Sequence, residues 1–332
     1  MAKCIVTGAS GYVGRALCAE LARRRIEYLS LMRRKQDVAV DAAALYGDLL
    51  DRELPEFPGE VDTVYHLAGI AHSQASDDLY ERINVEGSLK VASAAINAGV
   101  RRFVFVSSVK ATLVDDQAKH KQKLDQVFRQ HSRQQSSQQS SENAHKGFTK
   151  QHSYNPISSY AISKARAEVQ LKELCASSAM QLFIVRPALV YDSEAPGHLA
   201  MLKRWCRWRL PAPPERGGRS MVARSDLVRL LLSLHHTTAW SSQPITVTDG
   251  QKYSTARIHR AFSSAMTLEP LLPSIPDSVW RLCATIYERL RGLPPGSTLD
   301  RIFGEEMYES TGLEELGFSP RSTLESALGI HE

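Results

Sequence analysis

A turn with three glycines, placed between an apolar pentapeptide and a helical pattern, most constrains how this chain can fold. Lys3–Thr7 has the pattern of a buried strand, and Gly8, Gly11 and Gly14 follow it in the segment TGASGYVG. In a strand–turn–helix unit the first glycine permits a tight turn, the second lets a diphosphate approach the backbone, and the third allows close packing of helix and sheet. The pattern predicts a dinucleotide-binding crossover, with a glycine-rich turn that binds no ligand as the alternative.

Short apolar runs alternate with helical patterns along most of the chain. Strands separated by helices favour right-handed crossovers and a parallel sheet of the α/β class. After Tyr191, proline and glycine cluster and helical segments dominate, which indicates a smaller second lobe. The predicted strands are Lys3–Thr7, Tyr28–Met32, Asp62–Leu67, Arg102–Ser107, Leu182–Val185 and Pro244–Thr248, and the predicted helices are Gly14–Arg25, Leu79–Ala98 and Asp226–Leu234.

The sequence predicts two lobes and one insertion. Residues 1–191 are expected to bind the nucleotide and residues 192–332 the substrate, with 220–250 returning to the first lobe. Residues 115–152 are dominated by Gln, Ser, Lys and His, so they cannot bury enough apolar surface to offset their ordering entropy. The net charge of +5 belongs to residues 117–152 within this insertion, because they hold seven Lys/Arg and two Asp/Glu and the rest of the chain is balanced. The folded body is therefore not expected to bind nucleic acid.

The composition excludes a wholly disordered, a collagen-like or a disulfide-scaffold chain. The chain has 332 residues, of which 43% are hydrophobic and 23% charged, as in ordinary globular proteins. No apolar run is long enough for a transmembrane segment. A strand that begins at Lys3 leaves no room for a signal peptide, so we expect a cytoplasmic protein. The five cysteines are scattered without a CxxC pair, which predicts reduced packing thiols and no metal site.

Tyr160 and Lys164 are the second pattern with chemical meaning. Four-residue spacing places both side chains on one face of a helix. A cation on that face favours the phenolate and lowers the pKa of the tyrosine, which suits proton exchange with a hydroxyl or carbonyl group. Two solvated surface residues are the ordinary alternative, and the position downstream of the glycine turn favours the catalytic interpretation.

Two later segments also have a distinct pattern. Residues 203–209 (KRWCRWR) place basic residues around two tryptophans, and a helix beside a substrate cleft explains this as well as an RNA or membrane patch does. Ser278–Leu290 has apolar residues at helical spacing, and we expect this face to pack inside the second lobe rather than on a membrane. Its apolar residues are Val279, Trp280, Cys283, Ile286, Tyr287 and Leu290.

These motifs, taken in order, resemble the extended short-chain dehydrogenases/reductases of the nucleotide-sugar epimerase/dehydratase group. The similarity is greatest to bacterial UDP-sugar 4-epimerases and 4-ketoreductases of surface-polysaccharide synthesis. It implies a Rossmann doubly wound parallel sheet with a smaller, mainly helical C-terminal substrate lobe. The matching segments are Thr7–Gly14, Gly47-Asp48-Leu49, His66-Leu67-Ala68-Gly69, Asn84-Val85-Glu86-Gly87, Ser107-Ser108, Tyr160 with Lys164, Arg186–Tyr191, Arg219 with Asp226-Leu227, and Val247-Thr248-Asp249-Gly250.

The resemblance assigns roles to individual residues. Tyr160 is implied as the acid/base, with Lys164 as its electrostatic partner and as a ligand of the nicotinamide ribose. Ser108 is implied to bind the reacting oxygen. Arg219 matches the arginine that holds the UDP diphosphate, and His198 stands where relatives contact the substrate. The implied cofactor contacts are Gly8, Ser10, Gly11, Tyr12, Val13, Gly14, Arg33, Asp48, Leu49, Leu67, Ala68, Gly69, Asn84, Ser107, Tyr160, Lys164, Pro187, Ala188 and Val190.

The resemblance implies NAD(P)-dependent oxidation or reduction at C4 of a UDP-hexose, by a 4-ketoreductase or a 4-epimerase, and a homodimer. The second strand ends without the acidic residue that binds an NAD ribose, and Arg33 in its place favours NADP. Dehydration is disfavoured because Val109 and Lys110 stand where dehydratases carry Asp and Glu. The family's VYG motif here reads Val190-Tyr191-Asp192. A non-catalytic dinucleotide sensor, or a scaffold whose basic insertion binds a partner, is the alternative.

Overall fold

The computed structural model of the protein describes residues 3–33, 44–71, 75–112, 158–240, 242–271, 275–292 and 295–330. The strands of this part are β1 (Lys3–Thr7), β2 (Tyr28–Met32), β3 (Ala44–Tyr46), β4 (Val61–His66), β5 (Arg102–Val106), β6 (Gln181–Pro187), β7 (Leu189–Tyr191), β8 (Gly218–Arg219), β9 (Met221–Ala223), β10 (Ile245–Val247) and β11 (Glu305–Glu306). Seven of them form one parallel sheet in the order β10-β6-β5-β4-β1-β2-β3.

Helices follow the strands as the sequence predicts. A π-helical segment, Glu81–Glu86, joins two of them without interruption. The helices are α1 (Tyr12–Arg23), α2 (Asp77–Tyr80), α3 (Gly87–Asn97), α4 (Ser159–Ala176), α5 (His198–Arg207), α6 (Arg224–His236), α7 (Thr255–Ala265), α8 (Asp277–Arg291), α9 (Ser297–Phe303) and α10 (Leu324–Ala327).

The two faces of the sheet are covered by different helices. Alternation along β1 sends Cys4 and Val6 to one face and Ile5 to the other. Helices α1 and α6 cover the first face through leucines such as Leu21 and Leu231. Helices α3 and α4 cover the second face through smaller residues such as Val91 and Ala167. This arrangement confirms the predicted doubly wound α/β sheet.

The strand order reverses between β1 and β4. From β1 the chain proceeds through β2 and β3 to one edge, and from β4 it proceeds through β5 and β6 to the other edge. The crossovers on the two sides of this point cover opposite faces, so a crevice opens at the carboxyl ends of β1 and β4. The glycine turn lies at this end of the sheet, because it follows β1 directly.

A smaller unit follows β6. Strand β7 pairs with β9, and β8 pairs with β11. Helices α5 and α7 pack on these strands around the fully buried rings of Tyr191 and Tyr253. Strand β10 pairs with β6 in the large sheet, and α6 packs against that sheet, so this stretch of the chain returns to it. The division of the chain at residue 191 stays a prediction.

The orientation of α8 differs from the prediction. The structure buries Trp280, Ala284 and Glu288, whereas Ile286 and Leu290 are half or more exposed. Trp280 stacks on Trp205 with ring centroids 5.1 Å apart. The apolar residues do share one side of the helix, but apart from Trp280 that side faces outward, so the expectation that it packs inside the lobe is wrong.

The insertion predicted at residues 115–152 lies outside the described residues. Within them, no helix combines the length and the apolar character that crossing a membrane requires. All five cysteines are free thiols, four of them buried and Cys283 exposed.

Asp226 fixes the C-terminal segment to α6. Its buried carboxylate accepts the backbone N–H groups of Arg321 and Ser322, both at 2.8 Å, and the guanidinium of Arg229 at 2.7 Å. Asp226→Asn would turn an amide N–H towards these donors. We expect a loss of about 2 kcal/mol in the free energy of unfolding, measured by chemical denaturation. Asp78→Asn, at an exposed carboxylate, is the control, and equal stability of the two variants would contradict this assignment.

Candidate active site

The turn between β1 and α1 forms an open cradle. Gly8 has a φ of +69°, and a Cβ atom there would lie 2.7 Å from the backbone nitrogen of Ala68. A Cβ atom on Gly14 would lie 2.1 Å from the carbonyl oxygen of Gly8, so only glycine permits this packing. Gly11 is the N-cap of α1 and has no side chain to satisfy the first N–H groups of the helix. The cradle therefore fits the diphosphate of a dinucleotide.

The start of α1 is also fixed to the second unit. Ser10 is exposed in the turn, whereas Tyr12 and Val13 are half-buried. The Arg224 guanidinium lies 4.7 Å from the centre of the Tyr12 ring, donates to the Tyr12 carbonyl at 3.4 Å and forms an ion pair with Asp192. Asp192 replaces the family's glycine, so this departure from the motif supplies the partner of Arg224.

The residues that follow β2 and β3 lie at the other end of the crevice. Leu49 is buried, and its Cβ atom would lie 2.9 Å from a Cβ atom on Gly87 at the start of α3. The Asp48 carboxylate accepts the Leu50 N–H at 3.0 Å and shapes the turn. Arg33 is exposed directly after β2. These positions leave Arg33 accessible to a ligand at the edge of the crevice.

Asn84 holds the loop that follows β4. It is fully buried in the π-helical segment. Its amide oxygen accepts the Ile70 N–H at 2.9 Å, and its N–H groups donate to the Ile70 carbonyl and to the Ser163 hydroxyl, both at 3.0 Å. The polar groups of the Asn84 side chain thus hold the loop at Ile70, and the expected cofactor contact of Asn84 stays a prediction.

A buried histidine lies under this loop. His66 Nδ1 is 2.7 Å from the Thr7 hydroxyl, and His66 Nε2 is 2.9 Å from the Ser88 hydroxyl. Burial and the nearby charge of Lys164 lower the pKa of His66 to about 3, so the ring is neutral at neutral pH. The ring thereby connects β1, β4 and α3 below the cradle.

Helix α4 presents Tyr160, Lys164 and Glu168 on one face at four-residue spacing. The buried ammonium of Lys164 donates to the Val106 carbonyl at 3.0 Å. A Cβ atom on Gly69 would lie only 3.4 Å from this ammonium, so Lys164 lies directly beside the loop after β4. Burial lowers the pKa of Lys164 to about 8, and the Glu168 carboxylate opposes this shift.

The Tyr160 hydroxyl lies near the Ser108 side chain, which follows β5. Burial raises the pKa of Tyr160, and the nearby Ser108 hydroxyl opposes the rise. This direction is opposite to the sequence prediction, because Lys164 donates to Val106 and burial dominates at the phenol. Tyr80, which the sequence analysis did not identify, lies beside the phenol with its ring centre 6.4 Å away.

A buried ion pair supports α4 from below. The Arg186 guanidinium donates to the Glu168 carboxylate at 2.9 and 2.5 Å, and the Ser107 hydroxyl donates to the same carboxylate. The Ser107 hydroxyl is thus engaged by Glu168, and the expected cofactor contact of Ser107 stays a prediction. Sequence analysis missed Glu168 as part of the site, although its spacing from Lys164 equals that of Lys164 from Tyr160.

The segment after β6 runs beside Ser108. The Pro187 carbonyl accepts the Val109 N–H at 3.1 Å, which fixes the turn that carries Ser108. Ala188 is buried and donates its N–H to the Val247 carbonyl at 3.0 Å, whereas Val190 is partly buried in β7. Pro187 thus lies beside the turn that carries Ser108, and its expected cofactor contact stays a prediction.

His198 and Arg219 lie close together near the N-terminus of α5. Burial and the Arg219 charge lower the pKa of His198 to about 4, and Glu306 opposes this shift. His198 Nε2 is buried and has no hydrogen-bond partner within the described chain. Lys110, two residues after Ser108, lies 3.9 Å from the Glu306 carboxylate. This ion pair links the cluster to the turn that carries Ser108.

Comparisons with known proteins agree with this arrangement. A UDP-glucose 4-epimerase from Vibrio cholerae is 27% identical over 97% of this chain and 92% of its own length. The structure of a UDP-glucose 4-epimerase from Thermotoga maritima, solved with UDP-glucose, has a TM-score of 0.64 and 17% identity over 99% and 96% of the two chains. The Thermus thermophilus UDP-glucose 4-epimerase, solved with NAD, has a TM-score of 0.65 and 17% identity over 99% and 97%.

The sequence model of the NAD dependent epimerase/dehydratase family matches residues 4–203, which include the glycine cradle, Ser108, Tyr160 and Lys164. This match covers well over half of the chain and confirms the resemblance inferred from the motifs. The solved structures share its fold over nearly the full length. The chain is therefore a member of the NAD dependent epimerase/dehydratase family.

Proposed function

We propose that the protein interconverts hydroxyl and keto groups at C4 of a UDP-hexose with NAD or NADP, as a 4-epimerase or a 4-ketoreductase. The observation that carries the proposal is the position of Tyr160, near Ser108 and one helical turn from the buried Lys164, which lies beside the loop that packs on the glycine cradle. The Vibrio cholerae relative, matched over nearly its whole length, supports the epimerase. A cytoplasmic homodimer in surface-polysaccharide synthesis completes the proposal.

The chain's own groups fit an NAD(P) molecule in this crevice. The N–H groups at the start of α1 would bind its diphosphate, and Leu49 would line the adenine end. Ala68 and Gly69 would border the middle of the molecule, where Lys164 is within reach of a ribose hydroxyl. When bound, the nicotinamide supplies hydride transfer to and from a carbon of the substrate.

Tyr160 moves the proton that accompanies this transfer. In the oxidative direction it accepts the proton of the sugar 4-hydroxyl, and in the reductive direction it donates a proton to the 4-keto oxygen. Ser108 holds the same oxygen and stabilises its developing charge. Because burial favours the protonated phenol, Tyr160 is prepared to act as an acid, and it needs further positive charge beside it to act as a base.

The diphosphate of the substrate fits the cluster near α5. Arg219 offers a planar set of donors to phosphate oxygens. The imidazole of His198 is neutral at neutral pH and has an unpartnered buried nitrogen that a substrate oxygen can satisfy. Glu306 and Lys110 connect this cluster to Ser108, so the diphosphate and the sugar would occupy one continuous cleft.

The two activities differ in what happens to the substrate and the cofactor. An epimerase keeps both until hydride returns to the opposite face of the sugar, whereas a ketoreductase releases product and exchanges its cofactor. Mass spectrometry of molecules bound to the purified protein separates them. Retained NAD supports the epimerase, and an empty protein that binds NADPH reversibly supports the ketoreductase.

Tyr160→Phe tests the catalytic role. The variant keeps the ring and loses the transferable proton, so turnover of UDP-hexoses should fall about a hundred- to ten-thousand-fold while NAD(P) binding persists. Tyr287→Phe, at an exposed tyrosine of α8, is the matched control. Turnover of Tyr160→Phe near the wild-type rate would instead favour the sensor or scaffold alternative.

Glu168→Gln tests the role of the Lys164 charge. The ammonium loses its proton as pH rises through about 8, so cofactor affinity that depends on it is present below this pH and is lost above it. Removing the Glu168 carboxylate lowers the Lys164 pKa further, and the loss of affinity should begin at lower pH. Affinity is measured by fluorescence titration on folded protein, with Glu173→Gln on the exposed side of α4 as control. Identical pH profiles would refute the coupling.

Arg33→Gln tests the preference for NADP. If the guanidinium binds the 2′-phosphate, its loss should weaken NADPH binding about tenfold or more and leave NADH binding unchanged. Calorimetric titration of both cofactors gives the ratio within one protein. An equal change in affinity for NADPH and NADH would show that Arg33 does not bind the 2′-phosphate.

A further inference from the structure

Helix α8 exposes more apolar surface than its packing explains. It is held to the protein by Trp280, Ala284 and Glu288, which are 4–7% exposed. Its outward side chains include Leu282 at 60% and Leu290 at 81% exposure. An amphipathic helix of a soluble domain usually turns its apolar residues to the core. In α8 the greater part of the apolar side faces away from the protein.

The exposed residues form one continuous stripe. Successive residues of an α-helix are separated by about 100°, so Val279, Leu282, Ile286 and Leu290 fall within a sector of roughly 80°. This sector lies about 160° from the middle of the buried side. A contiguous apolar stripe on an exposed helix marks a surface that another body covers.

Positive charge borders the stripe at one edge. Arg289 falls about 20° from the edge at Leu282, whereas Arg281 lies about 100° from that edge and Arg291 about 100° from the opposite edge. Arg281, Arg289 and Arg291 are exposed. Of the two carboxylates of this helix, that of Asp277 pairs with Arg281 and with Arg216, and that of Glu288 is buried. Glu288 accepts the backbone N–H groups of Gly296 and Thr298 at 2.8 and 2.7 Å.

The basic tryptophan segment, residues 203–209, is attached to the same helix. Its Trp205 stacks on Trp280, and its Trp208 is 65% exposed. The Arg209 carbonyl accepts the N–H of Leu271, which is itself 67% exposed and precedes α8. The segment adds exposed Arg204, Arg207 and Arg209 to the surroundings of α8. Two patterns that the sequence left separate thus lie beside each other.

We propose that α8 and the basic tryptophan segment form a docking surface for an anionic phospholipid bilayer. The apolar stripe would enter the boundary between headgroups and acyl chains, with the helix axis parallel to the membrane. Arg289 and the nearby arginines would contact lipid phosphates, and Trp208 has the amphipathic ring that is enriched at membrane–water interfaces. The binding is peripheral and reversible, because it uses one exposed helix.

The positive charge around α8 favours a bilayer over a protein as the partner that covers the stripe. An apolar stripe with Arg289 at its edge, close to the exposed Arg204, Arg207 and Arg209, complements a flat surface that is apolar inside and anionic at its edge. The two carboxylates of the helix are paired with arginines or buried. Such binding weakens with salt because the arginines lie in exposed positions. This surface is separate from the residues of the proposed function, so either proposal can fail without the other.

Vesicle flotation of the full-length protein tests this proposal. We expect binding to vesicles of equal parts phosphatidylcholine and phosphatidylglycerol, release at high salt, and little binding to phosphatidylcholine alone. Ile286→Asp should weaken binding about tenfold or more, since it places a charge in the stripe. Val169→Asp, on α4 with an exposure of 53% against 50% for Ile286, should bind as the wild type does. Turnover in solution should be unchanged in Ile286→Asp.

Several results would overturn the proposal. It fails if the wild type does not float with anionic vesicles, or if it binds neutral vesicles equally well. It also fails if Ile286→Asp and Val169→Asp bind alike. If vesicle binding is absent and Ile286→Asp lowers the oligomeric mass in light scattering, the stripe is instead an interface between copies of this chain. The double variant Arg289→Gln/Arg291→Gln must reduce binding about tenfold or more for the charge argument to hold.

Discussion

The buried ammonium of Lys164 is the interaction on which the rest of the site depends. A lysine is almost never enclosed unless its charge has partners. Here the Val106 carbonyl accepts a hydrogen bond from it, and the Phe105 ring lies 4.7 Å below it. Glu168, one turn away on α4, places a negative charge near Lys164, and Arg186 holds the Glu168 carboxylate in position. Strands β5 and β6 and helix α4 are therefore fixed relative to one another by the need to accommodate one cation.

The loop after β4 is the opposite wall of the same site. Gly69 in this loop has no room for a side chain, because a Cβ atom there would lie 2.9 Å from the Asn84 amide oxygen and 3.4 Å from the Lys164 ammonium. Asn84 holds the loop by two hydrogen bonds to Ile70, and a third joins Asn84 to Ser163, the residue before Lys164. A change in the position of α4 would therefore alter contacts on both sides of the crevice. The loop that borders the expected cofactor path therefore touches the helix that carries Tyr160 and Lys164 directly.

Local signals in the sequence predicted the parts of the fold that local chemistry determines. The glycine turn and the strands Lys3–Thr7 and Tyr28–Met32 match the structure, because steric limits at glycine and runs of apolar residues act within a few positions. The cluster of Tyr160, Lys164 and Ser108 was also predicted, from the order of the family's motifs.

Features that depend on tertiary packing were not predictable in the same way. The Ser107 hydroxyl faces Glu168, and Asn84 turns its amide towards Ile70; no property of the neighbouring sequence specifies these directions. The stripe of α8 shows the same limit, since periodicity identifies residues that share a side but not whether that side faces the core. The raised pKa of Tyr160 has a similar origin, because burial is a property of the whole fold.

The π-helical segment Glu81–Glu86 makes the position of helix α2 sensitive to the loss of a single residue from this segment. A π turn is an α-helix that has gained a residue. Loss of one residue there would restore regular winding and rotate everything that precedes it by about 100° relative to α3. Helix α2, with the Tyr80 ring beside the phenol, would then leave the crevice. Natural variants of this protein should accordingly tolerate substitutions in this stretch far better than deletions.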